Sequence, residues 1–196
     1  MSPSQSERTE ATRAALLAAA RELFTERGFA AVSAEEVVRH AGVTRGALYH
    51  HFRDKRDLLA AVHEEVEQEM VAHLADRVAG IEDPYEVLRV GIDAFLDRCL
   101  DPVTARIGLE EAPSVLGWAR WREVDAKYAL GLVTAVLEAA MAAGAIVRQP
   151  VTPLAHLLIA ASGEAGLLIA ASDDPRAARD EVRGPLVALI EGLRVR

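Results

Sequence analysis

Cysteine is almost absent from these 196 residues: Cys99 is the single one. One thiol closes no internal disulfide and supports a metal site poorly, so the fold must hold by packing alone and position 99 reads as a small buried residue in a reducing compartment. Aromatics are scarce, at 5% of the chain. No stretch reaches about 18 uninterrupted apolar residues. The longest candidate, 154–171, is broken by His156, Ser162, Gly163 and Glu164 and reads as a buried helix instead of a membrane span. The first ten residues are polar and mixed in charge, with nothing like the apolar centre of a signal peptide, and a cytoplasmic location is expected. A phosphate-cradling glycine loop, a Gly-x-Ser-x-Gly elbow and a His-Glu-x-x-His pair are all missing. An enzyme reading would rest on Glu110, Glu111 and His156, yet adjacent glutamates do not share a helix face. His50 and His51 diverge on a helix and, with His63, complete no tetrahedron, so neither metal nor cofactor is expected.

Positive charge is also in the minority, with 22 Lys and Arg against 30 Asp and Glu and a net charge of -8. The deficit is uneven. Residues 1–60 hold nine basic and eight acidic side chains, leaving thirteen against twenty-two for residues 61–196. Charges on a distant acidic body are largely screened over a Debye length of about 8 Å, so overall acidity does not exclude nucleic acid as a partner of the N-terminal part.

What is present is helical signal from end to end, without strand-like alternation, and the fold class is all-α. Asp83-Pro84, Asp101-Pro102, Thr152-Pro153 and Asp174-Pro175 each set a capping side chain before a proline suited to the first helical position. Leu16, Leu17, Ala20, Leu23 and Phe24 form the apolar stripe of a first helix that stops at Gly28, after which Phe29 turns back toward Phe24. Further helices are expected near 84–100, 102–112, 115–143, 153–171 and 175–194. The organisation expected is a three-helix head over 1–53, a long connecting helix within 54–80 and a helical body over 81–196.

Residues 33–58 carry the function. Ser33 with Glu36 three residues on is a capping box, and Val32 and Val37 occupy the staple positions. That helix ends at Gly42, suited to a left-handed C-cap, and Thr44 caps another helix at once. Two short helices about so tight a turn cross steeply, as in a helix-turn-helix. On the second, Leu48 and Phe52 point inward, which leaves Arg45, Gly46, Tyr49 and His50 on the opposite face. Arg45 suits bidentate pairing with guanine O6 and N7, and Gly46 permits close approach. Tyr49, His50, His51, Thr44 and the free N–H groups of the helix start suit phosphate oxygens. Asp54 caps the following helix, whose Lys55 is expected to reach the DNA backbone again.

The stretch Gly42-Val-Thr-Arg-Gly-Ala-Leu-Tyr-His-His-Phe-Arg-Asp-Lys-Arg-Asp-Leu58 resembles the TetR (tetracycline repressor-like) family of transcriptional regulators, and with the preceding helices the likeness covers about a third of the chain, Thr9 to Val66. The resemblance implies a three-helix DNA-binding domain, a helical ligand-binding and dimerisation domain, and release from an operator when a small molecule binds. Position by position it implies Thr44, Tyr49, His51 and Lys55 as phosphate contacts and Arg45 and Gly46 at the base edges. Ala34 departs from the family, standing where some members carry a hydroxyl, so a backbone contact from that helix either rests on Ser33 alone or is absent.

In the body, apolar residues appear on more than one face of the helices near 153–171 and 175–194, which suits either an internal core or pairing with the same helices of a second copy. The resemblance implies the second, a homodimer. Phe95, Cys99, Glu110, Trp118, Trp121, Tyr128 and His156 supply the apolar walls and polar anchors of an effector pocket, although an ordinary helical core has the same ingredients. The expected function is a sequence-specific DNA-binding regulator, a repressor released from a near-palindromic operator by a small-molecule effector. The alternatives are an activator of the same fold, a DNA-binding architectural protein without an effector, and a small-molecule enzyme.

Overall fold

The computed structural model describes residues 4–195, apart from the side chain of Asp125. Nine α-helices and one π-helical segment make up the described chain: α1 (Gln5–Arg27), α2 (Ala34–His40), α3 (Arg45–His51), α4 (Lys55–Val78), α5 (Pro84–Arg98), the π segment Thr104–Glu111, α6 (Ala112–Leu116), α7 (Trp118–Ala142), α8 (Val151–Ala170) and α9 (Pro175–Glu191). The chain belongs to the all-α class. A lone antiparallel bridge, Ile146 with Arg194, ties the end of the chain to the α7–α8 connection.

Local chemistry sets most of the boundaries. Ser33 accepts from the Glu36 N–H while the Glu36 carboxylate accepts from the Ser33 N–H, a reciprocal capping box. Those hydrogen bonds, with a second from Arg27, hold the Glu36 carboxyl down at about 2. Beyond α2, Gly42 takes φ 67° and the Val43 N–H reaches back to the Val38 carbonyl at 3.2 Å. Only glycine enters that left-handed turn without strain. Asp54, Asp83 and Asp174 cap α4, α5 and α9 as expected.

Two boundaries and the winding of one segment differ from expectation. Thr152 caps nothing, because α8 starts at Val151 with Pro150 as the flanking residue. The break expected between 112 and 115 falls at Gly117, with φ 87°. Before it, the chain winds wide: the Ala112 N–H reaches back five residues to the Ile107 carbonyl, the signature of a π-helix. Single-sequence periodicity does not distinguish that winding from α, since the choice is made by packing on both sides.

Leu16, Leu17, Ala20, Leu23 and Phe24 of α1 are all buried, with Val37, Leu48, Phe52 and the first half of α4, and the Phe24 and Phe29 rings lie 5.5 Å apart. That core does not close at the head. Ile107 of the π segment is fully buried in it, with Val103, Val115 and Leu116 packed alongside. Two further clusters fill the body, one around Leu137, Ile146 and Ile190 and the other around Leu96, Cys99 and Ile169. Helix α8 is long and apolar enough to cross a membrane by length and composition, yet it buries Leu154, Ala155, Ile159, Ala165, Gly166 and Ile169 inside the body. Gly166 makes its close packing possible: a Cβ there would sit 3.2 Å from Cys99 Sγ and from Leu109 Cδ2.

Candidate DNA interface and effector cavity

Helix α3 is anchored from beneath by Leu48, fully buried, and Phe52, nearly so. Its start is fixed by Thr44, whose hydroxyl accepts from the Ala47 N–H at 3.2 Å. With that face held down, Arg45, Gly46, Tyr49 and His50 are exposed together, as the spacing required. The Arg45 guanidinium lies 5.6 Å from the Tyr49 ring centroid and 3.2 Å from the Glu35 carboxylate of α2. Both members of that ion pair are solvated, so it is worth at most about 1 kcal/mol and yields readily to a stronger acceptor. Gly46 has no internal reason to be glycine. A Cβ there would meet only Thr44 Oγ1, at 3.9 Å, and its backbone is not left-handed.

The remaining expected DNA contacts sit differently. His50 is exposed, but the His51 ring turns back between His50, at 5.1 Å, and Phe52, at 6.2 Å. It lines a shallow hollow with Arg13, Asp57, Glu64 and Arg120, and burial, then the charges of His50 and Arg13, push its pKa down. The Ser33 hydroxyl is committed to the capping box, donating to Glu36 Oε2 at 2.9 Å.

Lys55, expected at the DNA backbone, is engaged within the head. Its ammonium donates at 2.7 Å to both the Phe29 and the Val32 carbonyls and lies 3.9 Å from the Phe29 ring centroid. Burial pushes its pKa down. The side chain fastens the α1–α2 loop to the start of α4. The reason is geometric: the Phe29 carbonyl, which also accepts from the Val32 N–H at 3.4 Å, and the Val32 carbonyl both face the first turn of α4, and a buried carbonyl short of donors is costly.

Below the head, a cavity of about 150 Å³ lies among α4, α5, the π segment, α7, α8 and α9. Of the seven residues expected at an effector pocket, Phe95 and Trp121 line it. The other five expected residues do not. Cys99 is packed away against Gly166, its thiol pushed up to about 12 by burial. Glu110 pairs with Arg106 at 2.8 Å, the Trp118 ring is exposed against Trp121 at 4.7 Å, and Tyr128 accepts from the Gln68 amide at 3.0 Å. His156 is half-buried on α8, outside the lining. Met70, Val71, Leu74 and Val78 of α4 form one wall.

The polar lining gathers at one end. Trp121 donates its indole N–H to the Gly108 carbonyl at 3.0 Å, and a Cβ on Gly108 would lie 4.0 Å from Glu67 Oε1. One turn before Glu67, His63 is fully enclosed with neither ring nitrogen hydrogen-bonded, and desolvation pushes its pKa down to about 4.

Two family profiles match this chain. Residues 16–62 match the one described as bacterial regulatory proteins, tetR family, and residues 85–193 match the tetracyclin repressor-like C-terminal domain. The chain belongs to the TetR family. A crystal structure of a TetR-family transcriptional regulator from Pectobacterium atrosepticum is 34% identical and superposes with a TM-score of 0.88 over 99% of each chain. The transposon Tn10 TetC protein of Escherichia coli is 30% identical over 68% of this chain and 67% of its own length. The regulator TtgR of Pseudomonas putida is 35% identical over 52% of this chain and 49% of its own length. As a TetR-family member, the chain is a helix-turn-helix DNA-binding transcriptional regulator.

TetR-family likeness did not reveal two features of this chain. The α4 wall was legible as Met70, Leu74 and Val78 at four-residue spacing, an apolar stripe below the head. The join between head and body carried no such signal. The Phe29 N–H donates to Glu111 Oε1 at 2.9 Å, and a Cβ on Gly28, at φ 79°, would lie 2.6 Å from Arg106 Nη2. Arg56 donates to the Val115 carbonyl and Arg21 pairs with Glu69, both across the same seam.

Proposed function

We propose that the protein is a cytoplasmic, homodimeric repressor that leaves a near-palindromic operator when a small molecule fills the cavity. One observation carries the reading: the same two elements touch both the cavity and the DNA-binding head. Helix α4 buries Leu58, Leu59, Val62 and Val66 in the head core, while Met70, Leu74 and Val78 line the cavity. It is about 36 Å long at about 1.5 Å per residue, so a small shift at its cavity end moves the head appreciably. The π segment presents Thr104, Gly108 and Leu109 to the cavity, Ile107 to the head core and Glu111 to the Phe29 N–H.

In this reading Arg45 and Gly46 meet base edges, with Tyr49, His50 and the capped start of α3 on phosphates. Leu157 and Leu168 of α8 and Leu189 of α9 are more than half exposed, and they supply the apolar face of the dimer. Two copies of α3 then read successive major-groove faces about 34 Å apart, and a ligand preferring a different spacing releases them.

The test is a gel shift on the promoter regions flanking the gene, across a salt series, with the stoichiometry of the complex measured. Two protomers on one sequence-selective site are expected. Arg45→Ala should cost about 1 to 3 kcal/mol there and relax base preference. Absence of any sequence-selective complex at every salt concentration refutes the reading.

A further inference from the structure

The cavity's chemistry is asymmetric along its length. From Glu67 to Val78 the α4 wall runs about 16 Å at about 1.5 Å per residue. Its far end is aliphatic, with Val78, Val87 and Val136. At its near end stand Glu67, Thr104, Ser162 and the two aromatic rings of Trp121 and Phe95. Glu67 is the one ionisable side chain among the described lining residues; His63, one turn earlier and outside the lining, lies 3.9 Å from it, with burial pushing the ring's pKa down to about 4. Trp121 has given its indole N–H to Gly108, which leaves it only a π surface for the cavity. Phe95 lies one helical turn before Cys99, which packs about Gly166 together with Leu109, the neighbour of Gly108, so it belongs to the same end.

A carboxylate beside two aromatic faces, with no cationic side chain in the wall, is the combination that recognises an ammonium: the carboxylate supplies the charge and the rings supply their negative faces. We propose that the effector is a lipophilic amine, an elongated apolar molecule whose protonated nitrogen sits at Glu67 between Trp121 and Phe95 and whose hydrocarbon part runs toward Val78. A water-sized site takes roughly 10 to 15 Å³ of such space, so the cavity of about 150 Å³ suits a ligand of about ten non-hydrogen atoms. This inference rests on the effector role assigned to the cavity above, and it adds sign and shape.

Octylammonium, octanol and octanoate share a chain and differ in charge. Calorimetric titration of the full-length protein with each should rank them in that order, with octylammonium about tenfold or more tighter than octanol, a step of about 1.4 kcal/mol. Glu67→Gln should remove the preference, bringing octylammonium to the level at which the same variant binds octanol. The ranking on the unaltered protein needs no variant, so a folding defect in Glu67→Gln leaves the proposal testable. Octanoate binding as tightly as octylammonium overturns it. So does a charge preference that survives Glu67→Gln, and so does failure of all three probes to bind. Operator binding is read separately by gel shift, so loss of the amine preference with operator binding intact refutes the ligand class alone.

Discussion

Gly46→Ala separates the demands of folding from those of DNA in one methyl group. Residue 46 lies in the first turn of α3, exposed, with an ordinary helical backbone. The added Cβ would meet only Thr44 Oγ1, at 3.9 Å, an ordinary van der Waals distance. Replacing glycine by alanine inside a helix stabilises by roughly 0.5 to 1 kcal/mol, and less at a first turn. The variant should therefore melt about 1 to 3 °C higher at a fixed protomer concentration. On DNA the same methyl would stand on the exposed face that carries Arg45 and Tyr49, the surface that must approach the groove floor. Lifting Arg45 off its base edge should cost about 1 to 3 kcal/mol, or about 5-fold to 150-fold in operator affinity. Binding to random DNA, carried by phosphate contacts, should change far less. Fluorescence anisotropy on operator and random duplexes, beside a thermal melt, reads both halves. Unchanged operator affinity would refute the assignment of this face to base reading, and a lowered melting temperature would refute the account of why glycine stands there.

Lys55→Met should destabilise the protein by about 1 to 3 kcal/mol, since the Phe29 and Val32 carbonyls lose their shared donor. The slope of log affinity against log salt should stay unchanged. A slope reduced by about one, with stability intact, would return Lys55 to the DNA backbone. His63 makes stability depend on pH with a definite sign. Its folded pKa of about 4 lies below the ordinary 6.5, so the unfolded chain binds the proton more readily between those values. The stabilisation is complete above about 6.5 and is lost as pH falls toward 4, by up to about 3 kcal/mol. Denaturant titrations between pH 5 and 7 should show the slope in the parent and its flattening in His63→Leu; an equal slope in both would refute it.

The sequence by itself determined what local rules govern. A capping box needs two residues three apart, and a left-handed turn needs one glycine. The outward face of α3 needs only that Leu48 and Phe52 be held inward. Every such relation spans less than two helical turns, so Arg45, Gly46, Tyr49 and His50 were legible as one exposed face before any fold was known. Tertiary structure decided the rest. Whether Lys55 reaches DNA or the carbonyls of Phe29 and Val32 depends on where a loop more than twenty residues earlier returns. Which aromatics line the cavity depends on how α4, α5, α7 and α8 rotate about their axes as they pack, and Trp118 and Tyr128 lost that competition to Met70 and Leu74. Glu67 gained its meaning from Trp121 and Phe95, brought beside it from two other helices. The wide turns of Thr104–Glu111 answer to two cores at once, and no window of sequence contains both.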